Sequence, residues 1–252
     1  MKTVLVAGAT GSIGRHVIGE ALRAELDVRA IVRRDADAAS MPSSVAPVLA
    51  DLTDPESLRS AVDGVDAVIF VHGTYGSVAL AEEVDYGGVR NVLRMIDHPV
   101  RIALMTAISV TDRKGAHDWK RRAERLVRAS GHPYTIVRPG WFDLNKPDQH
   151  RLVALQGDRR QSGTPRDGVV ARRDIARVLV DSLLVAEATR KTFELVAEGG
   201  PSPATLALLF SALEADHEGE IDGVQDARNM ALASEPGYVV SDIRALQGPA
   251  VI

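Results

Sequence analysis

The sequence contains no cysteine. That absence excludes disulfides, Cys-ligated zinc, iron–sulfur clusters and thiolate chemistry. The seven histidines are dispersed, with no pair at metal-ligand spacing, so no metal site is expected. No apolar run approaches the roughly 20 residues that cross a bilayer, and no membrane partner is expected. Met1-Lys2-Thr3-Val4 enters a strand pattern at once, without the basic and apolar regions of a signal peptide. A cytoplasmic location is the expectation. Strong charge of one sign is also missing: the net charge is −4 and the pI is near 6.0. Nothing in that balance calls for nucleic acid as the main partner. What is present is ordinary globular material, 252 residues that are 45% hydrophobic and 25% charged, enough for one α/β domain with a sizeable core.

Short apolar runs alternate with helical patterns. The runs are Thr3–Ala7, Val28–Val32, Ala46–Ala50, Ala67–Val71, Arg101–Thr106 and Tyr134–Arg138. Their Val and Ile content suits strands buried on both faces. Helices are predicted at about 13–24, 55–62, 82–96 and 117–130, with Asp54-Pro55 as a helix-start signal. This alternation predicts a doubly wound parallel sheet, the Rossmann arrangement, with right-handed crossovers. Later come a polar loop at 157–168, an amphipathic helix at Asp174–Ala186, a strand at Thr192–Ala197 and a helix near 204–214. The acidic, Gly- and Pro-containing tail beyond has no clear assignment. The whole of 1–252 is read as one domain, with a cofactor-binding core over about 1–140. Residues of about 140–252 are expected to form a small C-terminal cap on the substrate side.

The strongest signal is Val4-Leu5-Val6-Ala7-Gly8-Ala9-Thr10-Gly11-Ser12-Ile13-Gly14-Arg15. A strand turns through three glycines and opens a helix. Gly8 permits the tight turn, Gly11 lets the backbone approach a phosphate, and Gly14 allows helix to pack closely on strand. Free N–H groups and the helix dipole favour a pyrophosphate over Thr10, Ser12 and Ile13.

The Gly-x-x-Gly-x-x-Gly spacing resembles the extended and atypical short-chain dehydrogenase/reductases, most closely the NmrA-like and flavin-reductase-like branch. Segments downstream agree. Asp51-Leu52 resembles the pair that contacts adenine in that family. Val71-His72-Gly73 stands where the family passes the cofactor ribose. The stretch from Val84 to Leu93, including Asn91, resembles its next helix. Tyr134-Thr135-Ile136-Val137-Arg138-Pro139-Gly140 resembles its sixth strand and the turn beside the nicotinamide. The resemblance spans about residues 1–200 and implies a Rossmann fold and a dinucleotide cofactor.

The second strand ends in Arg33-Arg34, where an NAD-selective site usually carries an acid. Guanidinium pairs with a 2′-phosphate, so Arg33, and less directly Arg34 or Arg15, favour NADP(H). Asp35 and Asp37 are close enough to leave NAD(H) open. Family members usually place a proton-donating Tyr four residues before a Lys. None of the five lysines here has one; alignment puts the family lysine at Lys120 and Ala116 at the tyrosine's place. Thr106, Ser109, His117 and Tyr75 stand as substitutes, each with a purely structural alternative. Trp141 and Phe142 either wall the nicotinamide or anchor the core. Arg121, Arg122, Arg125 and Arg128 are expected on a solvated helix face, and Asp174 as a helix cap. Arg159-Arg160 is a second candidate for an anionic substrate.

These readings converge on NADPH-dependent hydride delivery to a planar small-molecule acceptor (a flavin, a quinone or a related carbonyl compound), with Lys120 on the nicotinamide ribose. The competing class is an NADP(H)-sensing regulator of the NmrA-like type. A sugar-nucleotide epimerase or dehydratase is disfavoured by Ala116. Oligomeric state is open.

Overall fold

The computed structural model describes residues 2–75 and 77–247. Its elements in chain order are β1 (Thr3–Ala7), α1 (Gly14–Arg23), β2 (Asp27–Val32), α2 (Asp35–Ala39), β3 (Val45–Leu49) and α3 (Arg59–Val62). There follow β4 (Ala67–Phe70), the short α4 (Val78–Leu80), a π-helical turn (Ala81–Tyr86), α5 (Gly87–Met95), β5 (Arg101–Met105) and α6 (Ala116–Ala129). The last third holds β6 (Tyr134–Pro139), β7 (Trp141–Phe142), β8 (Arg151–Leu155), β9 (Val169–Val170), α7 (Arg172–Leu184), β10 (Lys191–Glu198), α8 (Ala207–Ser211) and α9 (Gly237–Leu246).

The main sheet has eight strands in the order β3-β2-β1-β4-β5-β6-β10-β8. Every pairing is parallel except β10 with β8. The six predicted strands all form, within a residue at each end. Alternation splits β1 between two cores: Val4 and Val6 face α1 and α7, while Leu5 and Ala7 face α5 and α6. Chain reversal between β1 and β4 opens the crevice at their carboxyl ends, where such sheets hold ligands.

Three features depart from the sequence reading. The antiparallel β8 was not foreseen; Arg151 and its neighbours carry only a five-residue pattern at the sheet edge. The helix predicted near 204–214 shrinks to Ala207–Ser211. The tail, which the sequence left without assignment, runs along α6 and meets the loop that follows β5, where Asn229 bonds to Thr111 and Arg113. Val239 and Ile243 of α9 insert into the core shared by α5 and α6.

That course corrects the expectation for the basic helix. Arg121 and Arg125 are 0% and 1% exposed, and Arg122 and Arg128 are also buried. Arg121 donates to Asp222, to Asn229 Oδ1 at 2.5 Å and to the Ala227 carbonyl at 2.7 Å. Arg125 holds both oxygens of Asp222 at 2.9 and 2.8 Å. Arg122 reaches Glu235 at 2.5 Å and lies 4.2 Å over the Trp119 ring. Arg128 is bound by Asp216 and Thr192. Beneath them Arg138 of β6, fully buried, is held by Glu124 and Asp226. A local pattern that reads as a solvated face is a docking face for the chain's own acidic tail.

Candidate cofactor and active site

The glycine loop is built as a cradle. Gly8 has φ +94°, and a Cβ there would lie 2.5 Å from the His72 backbone nitrogen. A Cβ on Gly14 would fall 2.1 Å from the Gly8 carbonyl oxygen. Both positions therefore require glycine for α1 to sit against β1 and β4. Gly11 donates its N–H back to the Gly8 carbonyl at 3.0 Å, closing the turn. Ile13, the N-cap of α1, makes no side-chain cap bond, and the first turn carries no acid. The open N–H groups and positive helix end meet whatever anion lies over Thr10, Ser12 and Ile13.

At the end of β2, Arg34 is engaged by Asp37 through two bonds of 2.8 and 2.9 Å. Arg33 is exposed and has no ion-pair partner among the described residues. It stands close enough to Asp51 to help hold that carboxyl below its usual range, although the larger cause is the Thr53 N–H bond. Asn91 donates to the Leu52 carbonyl at 2.8 Å, so it fixes the loop that carries Asp51 and Leu52. His72 lies between this loop and α5: a Cβ on Gly88 would meet both the His72 Nε2 and the Leu52 side chain at 3.2 Å. Its Nε2 is 3.1 Å from the Val84 carbonyl and must donate to it, leaving Nδ1 as a buried acceptor with no partner. Burial pushes the imidazole down to about 4, so it stays neutral and keeps that lone pair.

Lys120, from the second turn of α6, reaches the backbone at Gly73, where a Cβ would be 3.4 Å from its Nζ. Its ammonium is bound at 2.8 Å by Asp85 Oδ2. Asp85 is buried and also accepts from the Thr74 N–H at 2.9 Å and the Thr74 hydroxyl at 3.1 Å. The π-helical turn Ala81–Tyr86 carries it, and this extra-residue winding places Asp85 and Tyr86 inward together. In the sequence Asp85 is simply the second residue of the stretch from Val84 to Leu93. Its role becomes visible through contact with Lys120, 35 residues away.

The proposed substitutes for the tyrosine are placed differently. Thr106 is buried and donates its hydroxyl to Glu124 Oε1 at 2.7 Å, into the ion-pair network of Arg138. Ser109 donates to the Arg160 carbonyl at 2.9 Å, and buried Asp158 holds its loop through the N–H groups of Ser109 and Thr111. His117 is half-buried with Nδ1 3.0 Å from the Ser109 carbonyl. Tyr75 is 84% exposed.

On the far strands, Pro139 ends β6, and Gly140 abuts Gly168, where a Cβ would lie 2.5 Å from the carbonyl oxygen. Trp141 and Phe142 form β7 against β9; Trp141 is 42% exposed, which does not suit a core anchor. Arg172 opens α7 and ties these parts together. Its Nε donates to the Ser12 hydroxyl at 3.1 Å, its guanidinium lies 5.1 Å over the Phe142 ring, and it pairs with Asp143. Asp174 is not a cap; it is buried and accepts from His150 Nδ1 at 3.0 Å.

A family model described as NAD(P)H-binding matches residues 8–185. The chain belongs to that family. Its relatives are of the atypical short-chain reductase type. A (4-alkanoyl-5-oxo-2,5-dihydrofuran-3-yl)methyl phosphate reductase of Streptomyces griseus is 31% identical over 92% of this chain and 82% of its own length. An NAD(P)H azoreductase of Xenophilus azovorans is 26% identical, over 83% and 73%. A short-chain dehydrogenase/reductase of Veillonella parvula, solved in complex with NADP, shares the fold at a TM-score of 0.60 and 15% identity, covering 81% and 99%. The residues present fit the family's cofactor on structural grounds: a glycine cradle that a Cβ would fill, an uncapped helix end, and a buried, unpartnered His72 Nδ1 beside Gly8. Among the described residues no helix is long and apolar enough to cross a membrane, and no cluster of metal-ligating side chains occurs.

Proposed function

We propose that this member of the NAD(P)H-binding family is an NADPH-dependent reductase acting on a planar acceptor such as a flavin, a quinone or a related carbonyl compound. The observation that carries this reading is the Lys120 ammonium, fixed by buried Asp85 at the Gly73 backbone, with Ala116 in place of a proton-donating tyrosine. Lys120 holds the nicotinamide ribose. Asp85 keeps the ammonium aimed through its 2.8 Å ion pair. The first turn of α1 and the Arg172 guanidinium beside Ser12 hold the pyrophosphate. Arg33 holds the 2′-phosphate. Arg34, already neutralised by Asp37, contributes little there, and NAD(H) is accepted more weakly.

The bound dinucleotide supplies a hydride. The protein's part is to set two flat rings face to face, with Pro139, Gly140, Trp141 and Phe142 as one wall, and to exclude water from between them. A flavin or quinone that accepts a hydride takes its balancing proton from solvent, so the reaction survives without a tyrosine. The relatives named as reductases support this direction of chemistry. The test is NADPH consumption against a panel of flavins, quinones and dyes, with the Lys120→Ala variant beside the wild type. Turnover that falls at least tenfold on that substitution supports the reading, and tight NADPH binding without turnover on any acceptor replaces it with the sensor.

A further inference from the structure

The Arg172–Asp143 pair borders an open cleft of about 380 Å³ between α1 and α7, lined by His16, Asp143, Lys146, His150 and Arg173 among others. The His150 ring is fixed at both nitrogens. Nδ1 donates to buried Asp174 at 3.0 Å, and Nε2 accepts from Arg173 Nη2 at 3.2 Å. Arg173 is 61% exposed on its side chain and reaches a carboxylate only at 4.0 Å, that of Asp174. Lys146 has no ion pair among the described residues. The one acid in the lining, Asp143, is already bound by the backbone N–H and the guanidinium of Arg172. A protein of net charge −4 thus keeps a cleft whose available charges are positive. The cleft lies next to the proposed acceptor wall: Asp143, in its lining, directly follows Phe142, and Arg172 both lies over the Phe142 ring and pairs with Asp143.

We infer that this cleft holds a phosphate monoester carried by the acceptor, so that the substrate class is a phosphorylated planar compound. The inference rests on the reductase reading for what lies against Trp141 and Phe142. Arg173 presents a planar fork suited to two phosphate oxygens, and it exchanges the His150 nitrogen for them. Lys146 and His16 add donors on either side, and Asp174 keeps His150 in place when Arg173 turns.

FMN and riboflavin make a matched pair of probes, because they share one ring system and differ by the phosphate alone. Flavin fluorescence is titrated with the protein saturated in NADP+. FMN should bind about tenfold more tightly than riboflavin, a gain in line with one strong charge-assisted contact. In the Lys146→Ala/Arg173→Ala double variant the ratio should fall to about one. It should persist in Arg59→Ala, an exposed charge change on α3 across the sheet. Equal affinities in the wild type, no binding of either flavin, or an FMN preference that survives the double variant would each overturn the inference. NADPH oxidation in the same samples separates the two claims. Turnover without FMN preference removes the phosphate site alone. FMN preference without turnover removes the reductase reading and with it the claim that the phosphate is carried by a substrate, while the cleft's phosphate binding stands.

Discussion

Replacing Asp222 by alanine removes a carboxylate shared by two buried guanidinium groups. Asp222 Oδ1 lies 3.1 Å from Arg121 Nη2, and its Oδ2 lies 2.8 Å from Arg125 Nη2, on side chains that are 0% and 1% exposed. Breaking a fully buried ion pair by removing one partner costs about 3–5 kcal/mol. Two facts lower that figure. Asp222 itself is 24% exposed, and the arginines keep the Asn229, Ala227 and Met230 acceptors. The expected loss is about 2–3 kcal/mol, or about 5–10 °C in Tm for a chain of this size. Asp222→Asn, which keeps acceptor oxygen but not charge, should lose about half as much. Urea unfolding gives the free energy, and limited proteolysis reports whether residues 216–247 detach before the sheet opens. The exposed Arg59–Glu56 pair is the control, with Glu56→Ala expected within about 0.5 kcal/mol of wild type. If Asp222→Ala also falls within that margin, the tail does not stabilise α6 and the buried-network account is wrong.

Arg33→Ala should weaken NADPH by about 10- to 100-fold and NADH by less than about twofold, read by equilibrium titration, if that guanidinium meets the 2′-phosphate as proposed. Equal losses for both cofactors would remove the assignment. Arg172→Ala, by contrast, should weaken NADPH and NADH alike by about tenfold, because the pyrophosphate is common to both; a loss confined to one contradicts its placement beside Ser12. His72 carries a pH prediction. Its folded pKa is depressed to about 4 while the unfolded chain titrates near 6.5, so the stability it contributes is complete above 6.5 and is lost as pH falls toward 4. Up to about 3 kcal/mol should disappear across that window. Urea unfolding of wild type and His72→Leu at pH 7 and 5 should show a smaller pH effect in the variant, and identical effects would refute the buried neutral ring.

Much of the fold was legible because its signals are local. The runs from Thr3 to Ala7 and from Ala67 to Val71 are apolar, Val- and Ile-containing and lack a polar face, as strands buried on both sides are. Gly8 and Gly14 were readable from spacing, and the structure supplies the clashes that demand them. The tail was not legible because its partners lie about a hundred residues away: Arg121 finds Asp222, and Arg122 finds Glu235. Seen alone, a helix reading Lys-Arg-Arg-Ala-Glu-Arg has a polar face, and nothing nearby says that acids from 216–235 will cover it. The cofactor crevice was partly legible. Gly73 and Lys120 were each readable from the resemblance, and the fold brings them together, yet Asp85 comes in through a π-helical turn that periodicity does not announce. Arg172 and Arg173 are adjacent in sequence, but which one reaches Ser12 and which lines the cleft depends on α7 packing against α1.

The claim that this chain moves hydride, and does not merely bind a nucleotide, is tested most directly by an anaerobic single turnover. Protein carrying one equivalent of NADPH is mixed with FMN or a naphthoquinone, and absorbance at the nicotinamide and acceptor bands is followed together. The account predicts that both bands decay in one phase at matched rates, at least tenfold faster than without protein and slowed by Lys120→Ala. NADPH that stays bound while its band persists beside an unreduced acceptor would contradict it.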